Sequence, residues 1–471
     1  MITPAHLTPD PIRWRILAVL LVAIFMSLVS ISIVNVTLPS MQQSLAASQS
    51  DLQWVLSGYA LAFGVVLVSA GRAGDLLGRG GFFLLGVGVF TLASLGAGLA
   101  PNAEWLKAAR IFQGIGSGLL NPQGMGMIQQ YFQGKERGRA FGYFGTTVGV
   151  SVALGPVLGG LLIKFAGADL GWRLTFLINL PIGLLALLLG FLWFPRPLIA
   201  SLKGTSFYAT LRALDPMGAL IFTLAVLCVL YPFMGTQPLY IWLLLPFSFG
   251  LFFIWVKWEK HYARLGYEPM VDLSIFHSSG YTNGVLIMSL YFLGMTSIWV
   301  LIAIYMQQGV EKSAFETSLV GIPAALLSAY ASNWAGKRVS QLGRKIVVGG
   351  LMLAIFGLLA SIGVILLHEF YQTSIWWLLL SLAFLGLGQG ATISPNQAIT
   401  LADVPIAYAG SSGAIMQTAQ RVGASVGIAL ITAIAFTALN YFSWAIAISL
   451  GFITIISIIA LALLVAIKDL K

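Results

Sequence analysis

The sequence predicts an all-α multi-pass membrane protein of fourteen transmembrane helices. We expect two pseudo-symmetric six-helix bundles with an inserted two-helix hairpin. The composition, the spacing of apolar runs and an internal repeat predict this fold. Of the 471 residues, 58% are hydrophobic and only 8% are charged, whereas about 25% of the residues in an average soluble domain are charged. So few charges cannot cover the surfaces of several soluble domains.

Apolar runs of membrane-spanning length fill most of the chain. A helix crosses the bilayer core of about 30 Å with about 20 apolar residues, and charged residues punctuate this sequence at about that interval. The predicted spans are residues 16–38, 52–71, 82–100, 106–130, 139–163, 174–194, 216–234, 240–257, 281–305, 317–335, 346–367, 375–398, 407–437 and 443–467. Pro232, Gly235 and Pro238 divide the uncharged stretch 216–256 into the two short spans of the hairpin.

The distribution of cations predicts the orientation. Most of the 25 Lys and Arg residues lie at the N-terminus and in the even-numbered connections. The opposite side carries only Lys107, Lys164, Arg173 and Lys312. Positive charge collects on the cytoplasmic side of membrane proteins, so we expect a cell-membrane protein with both termini in the cytoplasm. The net charge of +10 therefore reflects topology, and no nucleic-acid partner is expected.

Two pairs of similar segments reveal an internal repeat. Residues 71–80 and 336–345 share the pattern G-x-x-x-[D/S]-x-x-G-R, and Phe112–Gly118 resembles Phe384–Gly390. A duplicated six-span unit is typical of secondary transporters. The predicted organisation is an N-terminal six-helix bundle at 1–195, a central loop with inserted helices 7 and 8 at 196–260, and a C-terminal six-helix bundle at 261–471.

These segments closely resemble the major facilitator superfamily, in particular its fourteen-span drug:proton antiporters. The resemblance covers essentially the whole chain and rests on four motifs: Gly71, Asp75, Gly78 and Arg79 after span 2; Arg110, Gln113, Gly114 and Gly116 in span 4; residues 155–160 in span 5; and residues 172–183 at span 6. It implies a secondary active transporter that exports hydrophobic drugs or metabolites by alternating access, driven by protons. The alternative is a proton-independent or uptake carrier for a neutral or anionic small molecule.

The repeated loop supplies the candidate gating residues Gly71, Asp75, Gly78, Arg79, Gly336, Gly343 and Arg344. Its glycines permit the positive φ of a tight turn. Asp75 can face the N–H groups at a helix N-terminus in the other half, which the helix dipole favours. Arg79 can pair with an acid or with helix C-terminal carbonyls. The alternative is that these charges only mark the cytoplasmic side.

Arg110, Gln113 and Arg421 are the candidate coupling or substrate residues. An arginine inside a span is costly at the bilayer centre and must face polar surroundings. The resemblance implies that Arg110 helps to relay protons or holds an anionic group. The alternative is that its side chain reaches the outer surface beside Lys107.

Small residues around a proline make span 5 the candidate hinge, with Gly155, Pro156, Gly159 and Gly160 as its residues. Glycine and proline together kink membrane helices, and small faces let helices approach closely. The resemblance implies a hinge or seal that favours export. Ordinary close packing of helices is the alternative.

No acid lies in the middle of any predicted span, and Ser30 stands where fourteen-span antiporters commonly carry an acid in span 1. A neutral, hydrophobic or anionic substrate is therefore favoured over a cation. The cavity candidates, each with helix packing as its alternative, are Met26, Ser30, Gln113, Asn121, Tyr291, Trp299, Gln389, Asn396 and Gln417.

Other function classes lack their residues in this sequence. There is no phosphate-binding G-x4-G-K-[S/T] loop, and the four histidines are scattered. The single cysteine, Cys228, excludes a disulfide framework and a thiolate metal site. We therefore expect no enzyme activity, cofactor or metal. The expected partners are the lipid bilayer, a small hydrophobic substrate and protons as the coupling ion, and a monomer is predicted.

Overall fold

The computed structural model describes residues 10–199, 207–233, 238–402 and 404–470, and these residues are almost entirely helical. Gly235, at the predicted turn of the hairpin, lies outside them. The helices are α1 Asp10–Leu45, α2 Gln49–Leu77, α3 Arg79–Gly98, α4 Ala103–Tyr131, α5 Gly134–Ala166, α6 Ala168–Leu177, α7 Asn179–Trp193, α8 Phe207–Ala213, α9 Pro216–Leu230, α10 Leu244–Arg264, α11 Ser279–Ile304, α12 Ala314–Leu342, α13 Arg344–Tyr371, α14 Leu378–Thr400, α15 Ala409–Leu439 and α16 Trp444–Lys468.

Within the described residues, twelve helical segments are long and apolar enough to cross a membrane. Neither α4 nor α12 is among them, although each has 29 residues. Length and composition therefore support twelve spans and not the fourteen predicted. The difference arises because polar side chains are distributed along most of α4 and α12, so that neither helix contains a sufficiently apolar stretch of membrane-spanning length.

Helix boundaries follow local sequence signals. Ser48 and Ser313 cap α2 and α12, and in each case the acid three residues later accepts a hydrogen bond from the capping residue. Gly78 and Gly343 end the same two helices with φ of 115° and 53°, values that glycine tolerates best. The next helix begins at the following residue in both cases. The loop repeat in the sequence is thus a repeat of structure.

The described helices belong to two compact units. Unit 1 contains Met1–Gln133, Leu154–His277 and Val404–Thr418, and unit 2 contains Gly134–Ala153, Ser278–Asp403 and Ala419–Lys471. Helices α5 and α15 each contribute one part to both units. The three-part organisation inferred from the sequence, with boundaries at 195 and 260, stays a prediction.

In unit 1, α4 packs against both α2 and α3, and α1 packs against α6 and α7. Glycines allow the close approach of α3 and α4, because a Cβ on Gly116 would lie 2.6 Å from the Phe90 nitrogen. An apolar cluster around the buried Trp172 and Phe176 fills one end of this unit. Helices α9 and α10 pack against each other, and α9 also packs against α2.

In unit 2, α14 packs against α12 and α13, and α16 packs against α11 and α13. Many large apolar side chains point outward in both units, including Leu92, Phe165, Phe249 and Leu464. Apolar surface of this extent is the expected lining toward lipid.

Candidate functional site

The N-terminus of α15 is held by a buried carboxylate. Oδ1 of Asp75 accepts a hydrogen bond from the Gly410 backbone N–H at 2.9 Å, and Oδ2 accepts one each from the Ser411 N–H and hydroxyl at 2.9 Å. The Arg79 guanidinium donates twice to Oδ1, at 2.7 and 2.9 Å. We call Asp75, Arg79, Gly410 and Ser411 the latch. It combines an ion pair with the anion-binding end of a helix.

Neighbouring residues fix the latch in place. Arg79 also donates to the Gln130 side chain at 2.7 Å and to the Ile406 carbonyl, and Gln129 donates to the Val404 carbonyl at 2.9 Å. A Cβ on Gly71 would lie 2.7 Å from the Gly410 carbonyl oxygen, so α2 and α15 approach too closely there for any side chain. Glycine at this position is therefore a requirement of the contact.

A second arginine of the same loop is buried beside the latch. Arg72, 2% exposed, donates to the Ala213 carbonyl at 3.1 Å and pairs with Glu268 at 2.9 Å. Its guanidinium lies 5.7 Å from the centre of the Tyr408 ring. From the sequence, Arg72 appears only as a mark of the basic side. Its position between Gly71 and Asp75 is the signal that could have indicated a further role.

The second copy of the loop is built differently. Arg344 pairs with Asp469 and donates to Asn396 and to the Gly280 carbonyl. Ser340 occupies the position equivalent to Asp75 and is exposed. Asn396, predicted to line a cavity, also donates to the Gly284 carbonyl at 2.9 Å.

Gly336 lies at a close crossing of α12 and α5 in the same unit. A Cβ there would lie 2.5 Å from the Gly138 carbonyl oxygen. Its place in the loop motif is therefore explained by packing between backbones.

Arg110 is buried inside unit 1, with 1% of its surface exposed. It donates to the Val55 carbonyl and to the Gln113 side chain, both at 2.9 Å. Its guanidinium lies 4.3 Å from the centre of the Tyr59 ring. The alternative in which its side chain reaches the outer surface beside Lys107 is wrong, because Arg110 is buried, whereas Lys107 is partly exposed and pairs with Asp51 at 2.8 Å. The two acceptors of Arg110 are neutral groups.

A line of polar side chains continues from Arg110 along α4. We call Arg110, Gln113, Ser117 and Asn121 the polar stripe, since their spacing of three or four residues places them on one helix face. Gln113 donates to the Ser94 hydroxyl at 2.7 Å, and Asn121 donates to the Ser117 carbonyl at 3.0 Å.

Hydroxyl groups from α1 and α2 join the stripe at Ser117. The Ser117 hydroxyl lies 2.8 Å from that of Ser27 and 2.6 Å from that of Tyr59. Sequence reasoning missed these three residues. The spacing of Ser27 from Ser30 and of Ser117 from Gln113 was a visible signal, whereas Tyr59 on α2 gave none. Ser30 is fully buried, and its hydroxyl has no partner within the described residues.

The remaining cavity candidates are distributed over both units. In unit 1, Met26 is fully buried, and the Gln417 amide contacts the Met125 sulfur. In unit 2, Tyr291 is 1% exposed, and its hydroxyl has no partner in the part of the chain that the structure describes. Trp299 and Gln389, which are partly buried, complete the unit 2 set. Arg421, a candidate coupling or substrate residue, is also partly buried in unit 2.

The proposed hinge lies in the uninterrupted helix α5, with Pro156 in its interior. A Cβ on Gly155 would meet the Ser32 hydroxyl and lie 3.0 Å from the Ile33 nitrogen, and one on Gly159 would lie 3.0 Å from the Ile33 side chain. A Cβ on Gly160 would meet nothing within 4 Å. Gly155 and Gly159 therefore serve close packing against α1, and the hinge itself stays a prediction.

A repeated helical fold, with twelve apolar segments of membrane-spanning length in the described part of the chain and a charged latch between helix ends, is that of a multi-pass membrane transporter. Residues 20–280 match the model of the Major Facilitator Superfamily, and the chain belongs to that superfamily. Its members and its fold are those of transporters and not of enzymes.

The curated relatives extend over most of the chain. It is 32% identical to the probable actinorhodin transporter of Streptomyces coelicolor, over 92% of this chain and 74% of the relative. It is 26% identical to the riboflavin transporter RibZ of Clostridioides difficile, over 91% and 90%. Its identity to the multidrug resistance protein Stp of Mycobacterium tuberculosis is 29%, over 87% and 73%. The predicted family of exporters is confirmed.

Solved structures show the same fold. The proton:xylose symporter XylE aligns with a TM-score of 0.69 over 98% of this chain and 97% of its own, at 16% sequence identity. At this identity the match concerns the fold alone.

Proposed function

We propose that this protein exports hydrophobic drugs or metabolites across the cell membrane by alternating access, with protons as the coupling ion. The latch is the observation that carries the proposal. A carboxylate that accepts hydrogen bonds from the first N–H groups of a helix fixes that end of the helix. When the carboxylate moves away, all of these hydrogen bonds are lost together. Such an all-or-none contact suits a transporter that must alternate between two states.

The strength of the latch is in the range that a transport cycle can use. Removing one partner of a buried, hydrogen-bonded ion pair costs about 3–5 kcal/mol. A net difference of about 3 kcal/mol between two states changes their ratio by roughly two orders of magnitude. The latch therefore sets a preference between states without preventing their exchange.

The polar stripe supports a neutral or anionic hydrophobic substrate. Its groups and those beside it are hydroxyls, amides and one guanidinium, and Ser30 takes the place of an acid. Hydroxyls and amides bind neutral acceptors and donors, while Arg110 favours an anionic group. The names of two relatives, a probable actinorhodin transporter and a multidrug resistance protein, support a role in drug transport.

Carriage of a neutral metabolite without proton coupling is the second candidate. The relative named as a riboflavin transporter and the absence of an acid from the described polar stripe favour it.

We also propose fourteen spans with both termini in the cytoplasm. Helices α4 and α12, of 29 residues each, extend about 44 Å and can cross the bilayer. Polar side chains in the middle of both helices face inward: Gln113 and Ser117 of α4 and Ser328 and Ser332 of α12 are all buried. On this topology α9 and α10 are the inserted pair between two six-span halves. Reporter fusions after α3, α4 and α5 test it, and reporters after α3 and α4 on the same side would contradict it.

Dye efflux from cells tests the export proposal. Cells that produce the protein should accumulate less of a hydrophobic fluorescent dye than cells without it, and an ionophore that collapses the proton gradient should abolish the difference. Asp75→Asn should reduce efflux, whereas Glu104→Gln, at a side chain 79% exposed, should not. Efflux that persists in the presence of the ionophore would favour the carrier without proton coupling. Equal accumulation in cells with and without the protein, for every substrate tried, would refute export.

A further inference from the structure

Two carboxyl groups lie buried together where α9 meets α10. Asp215, 0% exposed, caps the N-terminus of α9, and Glu259, 1% exposed, lies near the end of α10. Oδ1 of Asp215 accepts hydrogen bonds from the Gly218 N–H and the Trp258 indole, both at 2.9 Å. Oε2 of Glu259 accepts one from the Val271 N–H at 3.4 Å. We call Asp215 and Glu259 the carboxyl pair.

The second oxygen atoms of the two carboxyl groups point into the same space beside Gly218. Oδ2 of Asp215 and Oε1 of Glu259 are buried and have no hydrogen-bond partner within the described residues. A Cβ on Gly218 would touch the first and lie 2.9 Å from the second. Gly218 therefore leaves the space in which the two oxygens converge.

An indole group also lies beside the Glu259 carboxyl. Trp255, 6% exposed, lies one helical turn before Glu259, and its N–H points at the Glu259 carboxyl. It makes no hydrogen bond of normal geometry with the described residues. The groups aimed at the pair are thus N–H donors. A metal ion would require oxygen or imidazole acceptors in their place.

No ion pair with either carboxyl occurs among the residues that the structure describes. The nearest arginine of α2 is occupied by Glu268 and the Ala213 carbonyl, and the Arg212 guanidinium lies over the Tyr267 ring. The charged and titratable groups around the pair include Arg72, Arg212, His261, Tyr262, Tyr267 and Glu268, and Lys257 and Lys260 flank Glu259 on α10. Two adjacent carboxylates without a cation in a dry site cannot both be ionised.

We propose that Asp215 and Glu259 bind one proton between them and form a proton-binding site in the pair of helices α9 and α10. A shared proton gives one of the two unpartnered oxygens a donor and removes one of the two buried charges, as in other carboxyl dyads. The site lies apart from the polar stripe. Proton binding can be measured without substrate, so this proposal stands or fails separately from export.

Carbodiimide labelling of the purified full-length protein in nanodiscs tests the proposal. Dicyclohexylcarbodiimide modifies buried carboxyl groups only while they are protonated, and peptide mass spectrometry identifies the modified residue. We expect label on Glu259 or Asp215 at about pH 7, falling toward about tenfold less per pH unit above the midpoint of titration. The exposed Glu104 and Glu369 serve as unlabelled controls.

A variant separates a shared proton from simple burial. In Asp215→Asn the amide keeps the Oδ1 acceptor for Gly218 but removes the like charge, so labelling of Glu259 should end at a lower pH. If the variant has normal thermal stability and the midpoint pH of Glu259 labelling is unchanged, the two carboxyl groups do not share a proton. Absence of label on both residues of the wild-type protein at about pH 7, or loss of label on adding sodium or calcium at constant pH, would overturn the proposal outright.

Discussion

Replacing Asp75 by asparagine should release the N-terminus of α15. The carboxylate accepts five hydrogen bonds, of which two come from Arg79 and three from Gly410 and Ser411. Asparagine retains one acceptor oxygen and presents an NH2 group to the remaining donors. Arg79, 8% exposed, then lacks its counter-charge, and removal of one partner of a buried ion pair costs about 3–5 kcal/mol.

This loss can be measured at the helix itself. The amide protons of Gly410 and Ser411 exchange with solvent only when they leave Asp75, so hydrogen exchange of a peptide from residues 404–418 reports the opening of the latch. A loss of about 3 kcal/mol corresponds to exchange faster by roughly two orders of magnitude. We expect that acceleration in Asp75→Asn, with dye export reduced by about tenfold or more.

A second variant separates geometry from charge. Gly71→Ala leaves every charge in place but puts a methyl group 2.7 Å from the Gly410 carbonyl oxygen. It should accelerate exchange of the same peptide, whereas Glu104→Gln should leave exchange unchanged. If Asp75→Asn folds normally and its 404–418 peptide exchanges at the wild-type rate, the latch does not hold α15 and its proposed role in gating is wrong.

Three further substitutions test the other site residues. Arg110→Ala should abolish export and lower the free energy of unfolding by about 3 kcal/mol, because it leaves buried acceptors unpaired. Export at the wild-type rate in this variant would refute a role of Arg110 in coupling or substrate binding. Gly155→Ala should lower the melting temperature, because its methyl group meets the backbone of α1. Gly160→Ala should not, because there is open space around Gly160. Equal effects of the two substitutions on the melting temperature would contradict the packing described for α5. Ser30→Asp should increase export of cationic dyes relative to neutral ones, and an unchanged ratio in a transport assay would show that this position does not select substrate charge.

The sequence predicted most of the helices because a bilayer imposes a strong rule on length and composition. The role of Gly78 and Gly343 could also be predicted from the sequence, since the turn they make needs positive φ in both copies of the loop. The partners of Arg72 and the burial of Glu259 could not be predicted. Arg72 looks like a topology marker until Ala213 and Glu268, distant in sequence, close over it. Glu259 stands between Lys257 and Lys260, a run that suggests a hydrated helix end, but α9 and the backbone at Val271 pack around it and bury it.

The buried contacts of Arg72 give the carboxyl pair a physical connection to the latch. Arg72 holds the carbonyl of Ala213, two residues before Asp215, and it also holds Glu268, which follows α10. Its guanidinium faces the ring of Tyr408, two residues before Gly410. If a change of charge at the carboxyl pair shifts the segment around Ala213 or the segment around Glu268, the packing of Arg72 changes. Arg72 also contacts Tyr408, in the segment before α15. Proton coupling without an acid in span 1 requires a titratable group elsewhere, and the pair lies where its charge can act on the contact proposed to gate transport.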